Sequence, residues 1–144
     1  MATNLEFIKS GSGSSVSDLS ITDCFSNDYD VYKVVIYQIG TSGTDLKWRL
    51  INSGGVITAS NYDSAVSLMR SYGSFSDNRT QNGSEFNSVG FSDYTDRGGA
   101  TVLDIYNPFN SSYFTLANWQ NAGTSTIGTP VRKGIGVYTV AESH

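Results

Sequence analysis

The sequence has very few of the residues that catalytic and metal sites need. Its 144 residues include one histidine and one cysteine. Ser-His-Asp and Cys-His systems need a positioned imidazole, and His144 is the last residue, where chain termini are usually poorly ordered. A structural zinc site needs about four Cys or His ligands, and no GxSxG, GxGxxG or P-loop pattern occurs. We therefore expect no enzyme activity, no cofactor and no metal site.

Charge is also scarce, at 15% of the chain against roughly 25% in an average globular protein. The net charge is −4, and the nine Lys and Arg residues are scattered singly. Nucleic-acid binding is not expected, because phosphate neutralisation needs clustered cations. No apolar run approaches the roughly 18 residues of a membrane span, and residues 1–10 lack the features of a signal peptide. The sequence thus predicts no membrane insertion and no signal-directed secretion.

The residues that are abundant indicate an all-β protein. The chain has 15 Gly, nine Tyr and seven Phe, with many Ser, Thr and Asn in turn-like clusters. Nine or so short apolar segments separated by turn signals are typical of an antiparallel β-sandwich, with jelly-roll connectivity preferred. A chain of this length is most simply one domain, residues 1–144.

Several segments carry clear strand patterns. Residues 30–39 are apolar or aromatic on both alternating faces, which predicts a central strand covered on both sides. Gly-Gly within residues 48–58 predicts a hairpin. Residues 62–70 are interpreted as a strand, although a short helix also fits. Gly134 and Gly136 share one face of a closing strand, where a bulky group can lie close to the backbone.

Further strands are predicted near Leu19 and Ile21, at residues 101–106 and at residues 113–119. Residues 71–98 are interpreted as one long loop region, with a strand near residues 86–91.

Aromatic residues in the long loop region are the candidate contact residues. Tyrosine and phenylalanine rings can stack on sugar rings or pack against a protein partner. The alternative is that they cover one end of the hydrophobic core. The candidates for contact with a partner or a glycan are Tyr72, Phe75, Phe86, Phe91 and Tyr94.

Paired carboxylates are the remaining route to catalysis, since glycoside hydrolysis needs only two positioned acids. Asp104 lies between apolar neighbours and could act with Asp93 or Glu85. The favoured interpretation is instead a carboxylate on the solvent face of a strand, or one paired with an arginine. Cys24, beside Phe25, is expected to pack as a small buried side chain.

The chain resembles a family of small β-sandwich virion proteins of marine bacteriophages, including cyanophages. The resemblance spans nearly the whole sequence, and its motifs are structural rather than catalytic. The residues that carry it are LEFIKS (5–10), CFSNDYDVYKVVI (24–36), YDSAVSLMRSYGSFSDNRTQN (62–82), LDIYNPFNSSYFTLANWQ (103–120) and KGIGVYTVAES (133–143).

The resemblance implies a jelly-roll module that assembles into fibres, knobs or decorations on a phage particle. Such proteins are commonly homotrimers that contact other virion proteins, so we expect synthesis in the host cytoplasm and a place on the particle exterior. Family members continue with one or two last strands, which here would be missing or supplied by a neighbouring subunit. The function expected is a non-enzymatic capsid decoration, head fibre or tail or neck appendage. The alternative is a tail-fibre module that binds a host surface polysaccharide.

Overall fold

The fold was analysed on a computed structural model, which describes residues 5–38, 44–73, 75–92, 98–124 and 129–144. The side chains of residues 44, 91 and 92 are not described. About half of the described residues are in β-strands and none are helical, so no described helix could cross a membrane. The described residues form ten strands, which are β1 Val31–Gln38, β2 Thr44–Trp48, β3 Ile51–Asn52, β4 Gly55–Val56, β5 Tyr62–Arg70, β6 Ser76–Gly83, β7 Phe86–Ser92, β8 Gly99–Tyr106, β9 Thr115–Ala122 and β10 Pro130–Tyr138.

Six of these strands form one antiparallel sheet in the order β1-β8-β9-β10-β5-β6. Strands β2 and β7 form a second sheet, and β3 and β4 form a hairpin. Strand β7 contacts β5, β8, β9 and β10 of the large sheet. This all-β arrangement of one large and two small antiparallel sheets is consistent with a β-sandwich.

The core lies between the large sheet and the β2–β7 pair, and its centre is aromatic. Phe86 of β7 packs against Trp48, Tyr62 and Trp119, with ring centroids 4.7, 4.9 and 6.1 Å away. The Tyr62 hydroxyl donates to the carbonyl of Ile57 and accepts from the amide of Leu50. Because both backbone groups belong to the segment around the β3–β4 hairpin, this buried hydroxyl attaches that segment to the large sheet.

Burial alternates strictly along the middle strands of the large sheet. Odd-numbered residues of β8 and β9 point into the core, and even-numbered residues point away from it. This period of two is the geometric property of a strand with one buried face. Asn121, on the inner face of β9, donates to the hydroxyl of Thr101 and the carbonyl of Ala100, so its buried amide is bonded to β8.

The prediction for residues 30–39 is correct about the strand and wrong about its place. Strand β1 covers residues 31–38, but it lies at an edge of the large sheet. Its outward side chains are exposed, with Val35 at 70% and Tyr37 at 73%. The alternating apolar pattern was interpreted as cover on both sides, whereas only the inner face of β1 is covered by described residues.

Four other predictions have clear outcomes. The hairpin within residues 48–58 is confirmed as β3 and β4, with Gly55 at a φ of +107°. The strand interpretation of residues 62–70 is confirmed as β5. Residues 71–98 are not one loop region, because β6 occupies residues 76–83 beside the expected strand β7, and residues 19–21 form no strand.

The glycine prediction for β10 is confirmed. A Cβ atom on Gly134 would lie 2.1 Å from a ring carbon of Trp119, and one on Gly136 would lie 2.4 Å from a ring carbon of Phe86. These distances are far below van der Waals contact. The Trp119 and Phe86 rings can therefore occupy their positions only because residues 134 and 136 have no side chain. Two glycines of one strand thereby position the aromatic centre of the core.

Candidate interaction site

Two of the five predicted contact residues are on the surface. Tyr72 and Phe75 lie in the turn between β5 and β6, and their exposed fractions are 79% and 75%. Gly73 between them has a φ of +100°, which favours glycine at this tight reversal. The turn therefore presents two aromatic rings to solvent, and these rings are available to a partner.

Of the other three predicted contact residues, only Phe86 has a side chain that the structure describes. Phe86 has an exposed fraction of 0% and is a core residue, so its prediction as a contact residue is wrong. A ring packed among three other aromatic rings cannot reach a partner in the folded chain. Phe91 lies in β7, but its side chain is not described, and Tyr94 lies outside the described residues.

The outer face of the six-stranded sheet carries a set of exposed apolar side chains that the sequence analysis missed. Val35 of β1 lies opposite Val102 of β8, and Tyr37 is beside them on the same face. Leu116 of β9 and Ile135 of β10 extend this face across the sheet, and all five side chains are exposed. Asp104, Asn118 and Gln120 of the same face lie between the β1–β8 group and the other two, so the contiguous apolar part of this face is Val35, Val102 and Tyr37, and large exposed apolar groups of this kind often mark a partner surface.

The carboxylates considered for glycoside hydrolysis are paired with cations. The Asp104 carboxylate lies on the outer face of β8, as predicted, and its partner, at 2.5 Å, is the Lys33 ammonium rather than an arginine. Glu85, between β6 and β7, is 2.8 Å from Lys47 and 2.5 Å from Arg49. Asp93 lies outside the described residues. The two described carboxylates are thus held by different cations at different sheets, and the structure does not bring them into a pair.

One ion pair connects the two layers. The guanidinium of Arg132, on the inner face of β10, lies 2.7 Å from the Asp45 carboxylate of β2 and donates to the carbonyl of Gly90 in β7. Arg132 is buried, whereas Asp45 is partly exposed. A buried cation needs such partners, so this pair has a structural explanation and fixes the β2–β7 sheet against the large sheet.

A cavity of about 270 Å³ lies between residues 6–8 and residues 23–29. The Tyr29 hydroxyl donates to Glu6, and the Lys9 ammonium donates to the carbonyl of Thr22, so two parts of the N-terminal region are tied together. Cys24 lines the cavity, is half-buried rather than fully buried, and has a pKa raised by burial. In the described ranges, no three His, Cys, Asp or Glu side chains are close enough to hold a metal ion.

The C-terminal residues are fixed against the end of the core, so the expectation of a poorly ordered His144 is wrong. The Glu142 carboxylate accepts from the Tyr138 hydroxyl at 2.7 Å and from the Asn52 amide at 3.1 Å. Burial and this acceptor raise the pKa of Tyr138 to about 12. The His144 amide donates to the carbonyl of Pro108, and its ring packs edge-on against Tyr138 at 5.3 Å.

The position of His144 predicts a pH-dependent stability. Burial lowers the pKa of its imidazole below 6.5, and the nearby Glu142 charge only partly opposes this. Because the fold favours the neutral ring, its contribution is complete above pH 6.5 and is lost as the pH falls below that value. We expect the urea midpoint of the wild type to fall between about pH 8 and pH 5, and that of His144→Gln to fall less. Parallel pH profiles of the two proteins would contradict this assignment.

Comparison with protein-family models, with curated proteins and with solved structures found no match.

Proposed function

We propose that this chain is a non-enzymatic structural module of a bacteriophage particle that functions as a homo-oligomer. Its place is on the particle exterior, as a capsid decoration, a head fibre or a tail or neck appendage, and it is made in the host cytoplasm. The finer fold that we propose is a jelly roll, one way of connecting the strands of an antiparallel sandwich. The partners are other virion proteins and further copies of the chain. The resemblance favours an assembly of three copies.

The observation that carries the oligomeric part is the apolar outer face of the large sheet. Among the described residues, more large hydrophobic side chains are exposed than are buried in the core. The exposed set on the outer face consists of Val31, Val35, Tyr37, Val102, Leu116 and Ile135. Since the chain also has few charges to keep copies apart, association would bury surface that a monomer leaves in water.

The virion part rests on the sequence resemblance, and the non-enzymatic part is supported by the chemistry of the described carboxylates. Asp104 and Glu85 are each neutralised by cations of their own chain, which favours structural ion pairs over acid–base work. The family resemblance supplies the phage particle as the setting.

The experiment combines particle composition with oligomer mass. We expect the chain to be present in purified phage particles by mass spectrometry, and a label on it to appear at a fixed exterior position in electron micrographs. The isolated protein should sediment as an oligomer. A chain that is absent from particles and monomeric at high concentration would overturn the proposal.

A second candidate function, binding of a host surface polysaccharide, is favoured by one specific observation. Tyr72 and Phe75 present two exposed rings in one turn, and such rings can stack on the C–H faces of sugars. We expect Tyr72→Ala and Phe75→Ala to weaken retention on host envelope polysaccharide, while Val56→Ala, an exposed strand residue elsewhere, leaves it unchanged. Equal retention of all variants would remove this candidate.

A further inference from the structure

We propose that the free edge of β1 pairs antiparallel with the β1 edge of a second copy, with Val35 of both copies on the two-fold axis. Among the described strands β1 pairs with β8 alone, so one row of its backbone donors and acceptors faces outward. An extended strand is the natural partner of such a row. This inference rests on the proposed homo-oligomeric function, with an even number of copies in place of the three that the resemblance favours, and it names the surface that would carry the contact.

The two edges of the same sheet differ in a way that selects β1. Strand β6, at the other edge, has the sequence SDNRTQNG and is polar and exposed along most of its length. Charged and polar edges of this kind oppose pairing with another chain. Strand β1 instead carries exposed Val31, Val35 and Tyr37, with Lys33 as its single charge. The protein therefore protects one edge and leaves the other suitable for pairing.

Strand geometry limits the possible registers. Residues directly opposite each other in an antiparallel pair point to the same face, so an outward residue of one copy must oppose an outward residue of the other. With Val35 opposite Val35, Lys33 lies opposite Tyr37 of the second copy. On the inner face, Val34 lies opposite Ile36. Seven residues of β1 are then paired with β1 of the second copy. The inner and outer faces of the sheet both continue across the two-fold axis.

The charge of Lys33 favours this register over the one with Val34 on the two-fold axis. If Val34 were on the axis, the two Lys33 side chains would be diagonal neighbours at roughly 7–8 Å. With Val35 on the axis, each Lys33 faces the ring of Tyr37, an arrangement that attracts a cation. Each ammonium is also neutralised by Asp104 of its own copy. Two copies of an acidic chain can thus meet at an edge that carries no net charge.

Sedimentation of edge variants tests the surface. The pairing predicts an even number of copies, which is two if no other contact exists. Val35→Lys should halve the mass by placing two ammonium groups on the axis. Val56→Lys makes the same change at an exposed residue of β4 and should leave the mass unchanged. Circular dichroism of both variants should match the wild type, because both sites are exposed.

Disulfide trapping tests the register and does not depend on the lysine variant. In a Cys24→Ala background, Val35→Cys places two thiols directly opposite, at a Cα separation of roughly 4.5–5.5 Å that a disulfide accepts. Tyr37→Cys places the two thiols four residues apart, which is a distance of roughly 14 Å along the strand. We expect mild oxidation to cross-link Val35→Cys at least about ten times faster than Tyr37→Cys or Val56→Cys.

The outcomes separate this inference from the proposed function. An even-numbered oligomer that Val35→Lys halves and Val35→Cys traps supports the β1 pair. A wild-type oligomer with an odd number of copies, or one that neither variant affects, overturns the β1 pair and leaves the structural function standing. A monomeric wild type that is missing from particles overturns both.

Discussion

Replacing Phe86 by alanine should lower the free energy of unfolding by about 3–5 kcal/mol, the range measured for large-to-small changes in well-packed cores. Its ring is fully buried and lies within 4.9 Å of the rings of Trp48 and Tyr62, measured between centroids. These neighbours belong to both sheets, so a cavity here weakens the contact between the layers. Urea unfolding followed by tryptophan fluorescence measures the change directly.

Phe75→Ala is the matched control, because the same atoms are removed from a side chain that is 75% exposed. We expect it to change the free energy of unfolding by less than about 0.5 kcal/mol, as surface substitutions usually do. Its effect should instead appear in partner or polysaccharide binding. Similar losses of stability from both substitutions would mean that the two phenylalanines have been placed wrongly relative to the core.

Most strands were predictable, because alternation of side chains along the sequence reports directly on burial. β8 and β9 alternate in sequence and in burial with the same period of two. The hairpin was predictable from Gly54 and Gly55, since a turn between such short strands requires a positive φ. The close approach at Gly134 and Gly136 was predictable for a related reason, namely that two glycines on one strand face leave space for a ring.

The position of β1 was not predictable from its own residues. A strand that is apolar on both faces fits the centre of a layered structure and also fits an edge that another chain will cover. Its sequence neighbours do not distinguish these cases, because β1 pairs with β8, whose residues come more than sixty positions later. Only the long-range pairing reveals that Val35 and Tyr37 are exposed.

Strand β6 escaped prediction for the opposite reason. It has no hydrophobic side chain from Ser76 to Gly83, so no alternation appears in the sequence. It forms a strand because β5 offers backbone donors and acceptors along its length. The mistaken loop region then made Phe86 and Phe75 look alike, although one is in the core and the other is in a turn.

Sequence reasoning identified only some of the exposed aromatic residues, because local patterns report on turns and not on which strands are neighbours. Tyr72 and Phe75 adjoin Gly73 in a turn, and turn residues are usually at the surface. Phe86 follows Glu85 and begins a strand whose inward positions face the large sheet. The interaction surface on the outer sheet face required knowledge of which strands are neighbours, and no local pattern carries that information.

Gly134→Ala should destabilise the protein by about 3 kcal/mol or more, at the upper end of what overpacking costs. The added Cβ would lie 2.1–2.4 Å from three atoms of the Trp119 indole. Neither the Trp119 ring nor the Gly134 backbone can move easily. The ring is only 1% exposed, and Gly134 is paired with β5 on one side and with β9 on the other. Gly54→Ala, in the hairpin turn, is the control, because its nearest heavy atom is an Asn52 side-chain oxygen at 3.2 Å.

A double-mutant cycle with Trp119→Phe tests whether the indole causes this loss. Of the three clashing atoms, Cζ2 has no counterpart in phenylalanine, and the smaller phenyl ring can shift away from β10, so Gly134→Ala should cost less in the Trp119→Phe background. We expect a favourable coupling of at least about 1 kcal/mol between the two changes, measured by urea unfolding of all four proteins. Strict additivity would show that alanine disturbs the β10 backbone itself, and the glycine would then be needed for the strand rather than for the ring.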